Sequence, residues 1–398
     1  MADQRSYVYL GLAGETGPGR PVHSGLFRLA DGANEWEVLE YGLPERPAVR
    51  ALAVHPTKPE IIYAGTQAGP YRSADRGKHW DKVELPDHGL PVWSILFHPH
   101  DPDVILVGCE NCEIYRSDDA GEHWTRLPVS VRFPEITTAA GANPAKRVLM
   151  LDASASEPDC LYGAIEVGGT IRSTDGGEHW ENLSHGQYIN DDMVDMHGVL
   201  ASRWWPGTVF SIARAGMFRS GDGGDHWSHV PLEPLNMKGQ IYCRDIREVP
   251  GNPRHLWLAA GSGFISDLGI LLRSRDGGDH WSHVPLEPLN VKGQIYCRDI
   301  REVPGNPRHL WLAAGSGFIS DLGVLLHSRD GGESWKQVDV GGPVPHTMFK
   351  VAFDEHQPSL MSCATNGGEV WSSHDAGETW TPQPPPPGGT QIYALARG

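Results

Sequence analysis

A ten-residue pattern that returns along the chain constrains its fold more than any other feature of the sequence. The pattern, called the box below, is an apolar residue, Arg, Ser, any residue, Asp, any residue, Gly, any two residues and Trp, as in residues 218–227. Complete or nearly complete copies occupy residues 71–80, 115–124, 171–180, 272–281, 326–335 and 371–380. A degenerate eighth copy at residues 27–36 has Leu29 in place of the Ser and Ala33 in place of the Gly.

The residues of the box are those of a tight turn between two strands. The short Asp carboxylate accepts hydrogen bonds from backbone N–H groups, and Gly adopts the positive φ that other residues resist. Alternating aromatic and β-branched residues on both sides predict a hairpin, with the Trp packed between sheets. Successive box tryptophans are 44 to 56 residues apart, which suits one small four-stranded sheet per repeat. The sequence therefore predicts an all-β fold, a single β-propeller with eight four-stranded blades.

The box resembles the Asp-box, or bacterial neuraminidase repeat, of a β-propeller superfamily. That superfamily includes sialidases, xyloglucanases, sortilin-type receptors and photosystem II assembly factors. The resemblance implies that the box lies between the third and fourth strands of a blade and that its Asp holds the fold. We expect this structural role for Asp31, Asp75, Asp119, Asp175, Asp222, Asp276, Asp330 and Asp375.

The spacing of the boxes divides one propeller of residues 1–398 into eight blades. Blade 1 is predicted from residues 1–46 plus 389–398, and blades 2 to 8 from 47–90, 91–134, 135–192, 193–238, 239–292, 293–346 and 347–388. Blade 1 lacks a first strand at the N-terminus, and residues 391–396 resemble the first strands at 49–54 and 93–97. We expect the C-terminal strand to complete blade 1, because this removes two exposed sheet edges.

One blade is present in two nearly identical copies. Residues 220–273 and 274–327 align without a gap and are identical at 50 of 54 positions. The differing pairs are Gly221/Arg275, Met237/Val291, Ile270/Val324 and Arg273/His327. This identity indicates a recent duplication, natural or engineered, in a seven-bladed parent. Because each copy starts and ends inside a box, its insertion preserves strand order and predicts eight blades; the alternative is seven blades with the spare copy extruded.

Charge and composition exclude several classes of partner. The net charge of −17 argues against nucleic acid and anionic membranes, because both bind basic surfaces. No apolar run approaches the length of about 18 residues typical of a membrane helix, and the first residues lack the regions of a secretory signal. Six cysteines in 398 residues are too few for a disulfide scaffold. We expect a cytoplasmic monomer.

Candidate site residues follow from where propellers bind ligands, the mouth of the central channel. The starts of first strands and the turns after second strands form this mouth. The ligand-binding candidates at such positions are Arg50, Gln67, Trp93, Glu110, Arg214, Arg244, Arg298, Lys350 and Asn366. Glu166, Asp195 and His197, from neighbouring blades, are the catalytic candidates, suited to acid–base chemistry or to a weak metal site. The other interpretation is a satisfied polar cluster, and we expect no cofactor.

Two further patterns carry no chemistry. Cys109 and Cys112 form a C-x-x-C without the helix that would activate a thiol, so we interpret them as ordinary thiols. Sialidases carry an Arg-Ile-Pro in the opening blade, whereas the nearest string here is Arg132-Phe133-Pro134 in mid-chain. The leading hypothesis is a non-catalytic scaffold that binds a protein or a small polar ligand at the channel mouth. The alternative is a hydrolase or lyase.

Overall fold

A computed structural model describes ten segments of the chain, which form two compact units. The described residues are 5–14, 24–87, 89–134, 146–232, 241–249, 252–261, 269–286, 295–317, 320–389 and 391–398. One unit comprises Met1–Glu84 and Arg298–Gly398, and the other Leu85–Cys297. One differing pair of the two copied segments, Met237/Val291, lies outside the described residues.

The first unit contains four antiparallel sheets, blades 1, 2, 7 and 8. Blade 1 consists of β1 (Tyr7–Ala13), β2 (Ser24–Ala30), β3 (Glu37–Val38) and the last strand, β32 (Ile392–Arg397). Blade 2 consists of β4 (Ala51–Val54), β5 (Ile62–Thr66), β6 (Gly69–Ser73) and β7 (Asp81–Lys82). Blade 7 consists of β24 (Tyr296–Val303), β25 (Asn306–Gly315), β26 (Gly323–Ser328) and β27 (Lys336–Gln337); the first two residues of β24, Tyr296 and Cys297, belong to the second unit. Blade 8 consists of β28 (Met348–Phe353), β29 (Met361–Thr365), β30 (Val370–Ser373) and β31 (Thr381–Gln383).

The second unit contains blades 3 to 6. Blade 3 consists of β8 (Val92–Phe97), β9 (Ile105–Cys109), β10 (Ile114–Ser117) and β11 (Thr125–Arg126). Blade 4 consists of β12 (Val148–Ala153), β13 (Leu161–Ile165), β14 (Gly169–Ser173) and β15 (Glu181–Asn182). Blade 5 consists of β16 (Met196–Ala201), β17 (Val209–Ala213), β18 (Gly216–Ser220) and β19 (Ser228–His229). Blade 6 consists of β20 (Tyr242–Val249), β21 (Asn252–Gly261), β22 (Gly269–Ser274) and β23 (Trp281–His283). Short 3-10 helices occupy Glu110–Cys112, Ser184–Gly186 and Asp191–Met193.

The fold is an eight-bladed β-propeller, as the eight boxes predict. Each copied segment supplies the fourth strand of one blade and the first three strands of the next, and the resulting blades 5, 6 and 7 are complete four-stranded sheets, so the alternative of seven blades with an extruded copy is wrong. The copies also share their pairing register. Leu256 faces Ser274 in blade 6, and the corresponding Leu310 faces Ser328 in blade 7.

The C-terminal strand completes blade 1, as predicted. β32 pairs with β1 in antiparallel register from Val8 opposite Arg397 to Leu12 opposite Ile392. It occupies the position that the first strand holds in the other blades, which gives the order β3-β2-β1-β32. The two termini are therefore joined by one ladder of hydrogen bonds.

Apolar residues pack between consecutive sheets of each unit. In the second unit, one cluster joins blades 4 and 5 through Tyr162, Met196 and Phe218. In the first unit, another joins blades 7 and 8 through Trp311 and Trp380. Blades 4 and 5 of the second unit and blades 8 and 1 of the first are covered by apolar clusters on both faces, so their central strands are continuous apolar runs rather than alternations.

Seven boxes form the same hydrogen-bonded turn. In blade 2, the Ser73 hydroxyl donates to Asp75 at 2.8 Å and accepts from the Gly77 backbone N–H at 2.7 Å. The serine–aspartate bond recurs in the boxes of blades 3 to 8 at 2.8–2.9 Å. In blade 3, a backbone hydrogen bond from His123 is the main cause that lowers the pKa of Asp119 to about 2. These carboxylates are engaged in holding the turn.

The degenerate box differs in what its aspartate binds. Leu29 replaces the serine, so Asp31 has no neighbouring hydroxyl; its carboxylate instead accepts a hydrogen bond from the buried Arg397. His374 of blade 8 lies 3.3 Å from the same carboxylate. Asp31 thus fastens the C-terminal strand, rather than forming the box turn as the sequence predicts.

The box arginine connects one blade to the next, a role that the pattern did not reveal. Arg116 of blade 3 donates to the backbone oxygen of Gly176 in the next box at 2.5 Å. Arg172 of blade 4 donates to Gly223 of the following box at 2.9 Å. A matching bond links the boxes of blades 1 and 2.

The box glycine of blade 8 is expected to tolerate no side chain. Gly377 has φ +85°, and a Cβ there would lie 2.2 Å from the Trp311 ring, which is fully buried and stacked 4.0 Å from the ring of His327. We expect Gly377→Ala to lower the free energy of unfolding by about 3 kcal/mol, from backbone strain and overpacking together.

Gly341 offers the matched control, because it has φ +87° but no atom closer than 3.8 Å to its Cβ position. Gly341→Ala should cost only the backbone strain, about 1 kcal/mol. Thermal melting of both variants measures the difference. Equal melting midpoints would contradict the packing argument.

Candidate functional site

The first strands of six blades begin with a β-bulge. The residues that the strand pairing passes over are Tyr393, Trp93, Leu149, His197, Arg244 and Phe349, in blades 1, 3, 4, 5, 6 and 8. A bulged residue is left unpaired and its side chain is redirected. Trp93, His197 and Arg244, which the sequence predicts as site residues, therefore hold one equivalent position in their blades.

In blades 3, 4, 5 and 8, the turn after the second strand lies beside this bulge. The backbone N–H groups of Glu110, Glu166 and Arg214 donate to the residues that precede the first strands of their own blades at 2.9, 2.9 and 3.0 Å. Asn366 makes the same bond to Thr347 at 3.0 Å in blade 8. The strand starts and these turns are called the rim below.

Arg147 organises the rim of blades 3 and 4. Its guanidinium lies 3.4 Å from Glu110 and donates to Glu166 at 2.9 Å. It also lies over the Trp93 ring, 4.4 Å from the centroid. One arginine therefore binds two carboxylates and an aromatic face.

Asp195 and Arg214 form the rim of blade 5. Arg214 lies 3.8 Å from Asp195 and 3.5 Å from Asp192. The turn that follows Glu166 reaches this blade, because the N–H of Gly168 donates to Val194 at 3.0 Å. Burial, with the nearby Glu166 charge, raises the pKa of Asp195 to about 6.

The pKa of Glu166 is shifted in the same direction as that of Asp195. Burial raises its pKa above the usual value, against the opposing effect of Arg147. Both predicted carboxyl groups of the catalytic candidates thus favour the protonated form more than an exposed carboxyl does.

His197 faces blade 6. Its Nδ1 lies 2.9 Å from the Cys243 carbonyl oxygen, which can only accept, so Nδ1 carries the proton. Its ring lies 4.6 Å from that of Tyr242. Arg244 covers Tyr242 at 3.7 Å and lies 5.5 Å from the Tyr296 centroid.

The predicted rim residues of the first unit are largely engaged in holding the backbone. Gln67 accepts from the Ala48 N–H at 2.7 Å and donates to the Arg46 carbonyl at 3.3 Å. The Arg50 backbone N–H donates to Gly65 at 3.0 Å, and the Asn366 carbonyl accepts from Gln391. These bonds fix the rim backbone of blades 2 and 8.

Arg298 and Lys350 have different surroundings in the first unit. Arg298 lies over the Phe349 ring at 4.1 Å. Lys350 lies 3.6 Å from the buried Asp299, which also accepts from the Val351 N–H at 3.0 Å. Phe349, not Lys350, is the bulged residue of blade 8. The ion pair with Asp299 therefore orients the Lys350 side chain.

Metal binding by the catalytic candidates is not supported by the geometry. Across the described ranges, no three His, Cys, Asp or Glu side chains form a group that could hold a metal ion. Glu166, Asp195 and His197 therefore do not assemble the weak metal site considered above, and His197 is directed to Cys243. Burial raises the pKa of Cys109 and Cys112 to about 12, which makes both thiols unreactive.

Two features of the rim were not predicted from the sequence. Arg147 lies two residues before the bulge of blade 4, the position that Asp195 holds in blade 5. An alignment of the first strands by their bulges would have identified Arg147 as a site residue. In blade 8, His346 Nδ1 lies 2.9 Å from Glu369, which also accepts from Thr365. No local motif marks this pair.

Comparison with known proteins places the chain among propellers. Residues 24–159 match the Sortilin-Vps10 family, described as sortilin, neurotensin receptor 3. The chain is 27% identical over 175 residues to the photosystem II assembly protein Ycf48 of Synechococcus sp. (strain JA-2-3B'a(2-13)), over 42% of this chain and 45% of that protein. It thus spans less than half the length of this relative.

Two solved structures share the fold. The GH74 xyloglucanase of Xanthomonas campestris has a TM-score of 0.55 at 16% identity, covering 95% of this chain and 65% of that one. A structure of YCF48 bound to D1 peptide has a TM-score of 0.53 at 19% identity, covering 83% of this chain and 95% of that one. The chain thus has relatives in a propeller superfamily with sortilin and photosystem II assembly factors. Among the described residues, no helix has the length and apolar character needed to cross a membrane.

Proposed function

We propose that this protein is a non-catalytic propeller scaffold that binds a peptide segment of a partner protein at the rim of its second unit. The observation that carries the proposal is the pair of arginine–aromatic stacks at this rim, Arg147 on Trp93 and Arg244 on Tyr242. Trp, Tyr and Arg are enriched among the few residues that dominate the binding energy at protein interfaces. The two guanidinium groups offer hydrogen-bond donors and the half-buried Trp93 ring offers apolar area, whereas the buried Tyr242 ring supports Arg244.

The relatives support this proposal. YCF48 has the same fold and is seen bound to D1 peptide, and Ycf48 of Synechococcus is a photosystem II assembly protein. Action as a cytoplasmic monomer without a cofactor stays a prediction; the six buried free thiols are compatible with a reducing compartment.

A hydrolase is the second candidate, favoured by one observation. Asp195 has a pKa of about 6 beside Glu166, whose pKa is also raised, and such a pair suits general acid–base catalysis. Against this, Arg147 binds Glu166 at 2.9 Å, which favours its charged form. A xyloglucanase is among the proteins with this fold, so xyloglucan oligosaccharides are the substrate to test.

Panning a phage-displayed library of random peptides on the purified protein tests the proposal. We expect enriched peptides whose affinity, measured by fluorescence anisotropy, falls at least about tenfold in Arg244→Ala, since a hot-spot arginine contributes this much. Arg126→Ala is the control, because Arg126 forms an exposed ion pair with Glu113 on the outer strand of blade 3. It should leave affinity within about twofold.

Two results would overturn the scaffold proposal. One is the absence of any enriched peptide, and the other is equal binding by wild type and Arg244→Ala. Hydrolysis of xyloglucan oligosaccharides that Asp195→Asn abolishes would instead establish the second candidate.

A further inference from the structure

Five blades join their first and second strands through the same seven-residue turn. The turns occupy residues 55–61, 98–104, 154–160, 202–208 and 354–360, in blades 2, 3, 4, 5 and 8. In each, the N–H of the first residue donates to the carbonyl of the seventh, and the N–H of the seventh donates to the carbonyl of the fourth. All five have Pro at the fifth position. The fold therefore sets the same requirements for each of these turns.

The third and fourth positions of this turn are exposed in all five blades. Four blades carry polar residues there: Thr57 and Lys58, His100 and Asp101, Ser156 and Glu157, and His356 and Gln357. Blade 5 instead has Trp204 and Trp205, which are 40% and 43% exposed. Single exposed apolar residues are common, whereas contiguous apolar surface marks a site of interaction. Since the turn forms with polar residues in the other blades, the two tryptophans indicate a role beyond the turn itself.

The turn of blade 5, residues 202–208, is called the tryptophan turn below, and it is fixed in place by blade 6. The buried carboxylate of Glu248 accepts a hydrogen bond from the Ser202 hydroxyl. That hydroxyl accepts from the backbone N–H groups of Trp204 and Trp205 at 3.2 and 3.0 Å. The Trp205 indole N–H donates to the Pro253 carbonyl at 3.1 Å. A partner that binds this turn therefore has little of it to order, which lowers the entropic cost of binding.

Three exposed arginines lie on the tryptophan turn or in the segments that it contacts. Arg203 belongs to the turn, and 51% of its side chain is exposed. Arg254 directly follows the residue whose carbonyl accepts from Trp205. Arg275 lies two residues before Gly277, whose Cβ position is 3.8 Å from the Trp205 indole nitrogen. Blades 5 and 6 thus combine aromatic and cationic groups at this end.

The carboxylates of the same segments are already engaged. Glu248 lies 3.8 Å from the Arg203 side chain and accepts its backbone N–H at 2.9 Å. Asp279 pairs with Arg219 at 3.3 Å, and Asp276 accepts the hydrogen bonds of its box. The corresponding turns of blades 3 and 4 each contain two carboxylates, from Asp101 and Asp103 and from Glu157 and Asp159. Within a chain of net charge −17, the tryptophan turn therefore offers cations where its neighbours offer anions.

We propose that the tryptophan turn is a docking surface for a short acidic segment of a partner protein. It is separate from the rim, because β16 begins at the rim and reaches this turn six residues later, about 20 Å away. Arginine binds carboxylates through paired N–H groups, and indole rings supply apolar area. Single-stranded nucleic acid also stacks on tryptophan, but its repeated phosphates would extend over the carboxylates of blades 3 and 4. Charge complementarity thus favours an acidic peptide.

Panning a phage-displayed library of random peptides on the Arg244→Ala protein tests this surface with the rim weakened. We expect enriched peptides of net negative charge, whose affinity, measured by fluorescence anisotropy, falls at least about tenfold when Trp204→Ala is added. Arg254→Gln should weaken the same peptides about threefold, and less at high salt. His356→Ala is the matched control, since it removes the residue at the same turn position in blade 8; affinity should stay within about twofold.

A second measurement uses the unmodified protein. With ¹⁵N-labelled tryptophan, each indole N–H gives one signal, and those of Trp204 and Trp205 are assigned by their loss in Phe variants. Adding an enriched acidic peptide should shift both signals, whereas the signal of Trp93 at the rim should stay in place. Shifts at Trp93 without shifts at the tryptophan turn would contradict the proposal.

The remaining outcomes assign the surface to another occupant or to none. Enriched peptides that are basic or neutral, or that bind equally after Trp204→Ala, overturn the proposal. So does an oligothymidylate that binds the turn more tightly than acidic peptides, or a dimer in sedimentation velocity that Trp204→Ala dissociates. Peptides selected on the wild type that depend on Arg244 but not on Trp204 support the rim alone. Loss of the rim peptides would leave the tryptophan turn unaffected.

Discussion

Removal of residues 389–398 is expected to abolish the cooperative thermal unfolding of this protein. The deletion takes away β32, which pairs with β1 from Val8 to Leu12, and leaves the edge of β1 exposed. It also removes Ile392 from the apolar cluster that joins blades 8 and 1. Since an open edge and an uncovered core promote aggregation, we expect insoluble protein or a broad transition by circular dichroism.

A single substitution tests the contribution of the Arg397 side chain apart from that of the strand that carries it. Arg397 has a fully buried side chain that pairs with Asp31 and donates to Ser362 at 2.8 Å. Arg397→Met should lower the free energy of unfolding by about 3 kcal/mol, because Asp31 loses a buried partner. Arg329→Met is the control: Arg329 and Glu378 form an exposed pair between blades 7 and 8, worth less than about 1 kcal/mol.

Adding a synthetic peptide of residues 389–398 to the shortened chain provides an independent readout. If strand pairing is the cause, the peptide should restore a cooperative transition in proportion to its occupancy. A shortened chain that melts like the full one, or an Arg397→Met variant no less stable than Arg329→Met, would contradict the proposed role of the C-terminal strand.

The fold could be predicted from the sequence because the residues of the box form hydrogen bonds with one another. Ser73, Asp75 and Gly77 lie within five residues and complete one turn among themselves, so no distant residue is needed to predict it. The degenerate box shows the limit of this reading. Asp31 binds Arg397, a partner 366 positions away, and no local pattern connects the two.

The positions of the candidate site residues in their blades could be predicted from the sequence better than the contacts of their side chains. Trp93, His197 and Arg244 could be placed at strand starts from the repeat alone, and the bulges put them in equivalent positions. What each side chain contacts depends on the neighbouring blade, which differs from repeat to repeat. Lys350 is held by Asp299 for this reason.

Removal of residues 274–327 is expected to leave a folded protein, although a whole blade is lost. The deletion joins Arg273 to Ser328, so the junction falls inside a box and the turn residues Ser328 and Asp330 follow in their usual order. Each remaining strand keeps its partner, because the two copies pair in the same register. Propellers of four to eight blades are all known architectures.

The interfaces of the shortened chain should also be native ones. Blade 8 contacts blade 7 through Trp311, which lies against Gly377, and through Asp299, which accepts from Val351 at 3.0 Å. Blade 6 carries the same residues as Trp257 and Asp245. It can therefore replace blade 7 against blade 8 without leaving a cavity or an unpaired buried group.

Deletion of residues 73–116 is the matched control. It also runs from box to box, joining Arg72 to Ser117, but it brings together blade faces that are not copies of the originals. We expect a soluble chain with a sharp melting transition when 274–327 is removed and an aggregating chain when 73–116 is removed. If both shortened chains fold, a junction inside the box is sufficient for folding and the identity of the two copies is irrelevant. If both fail, the second copy has become indispensable to folding.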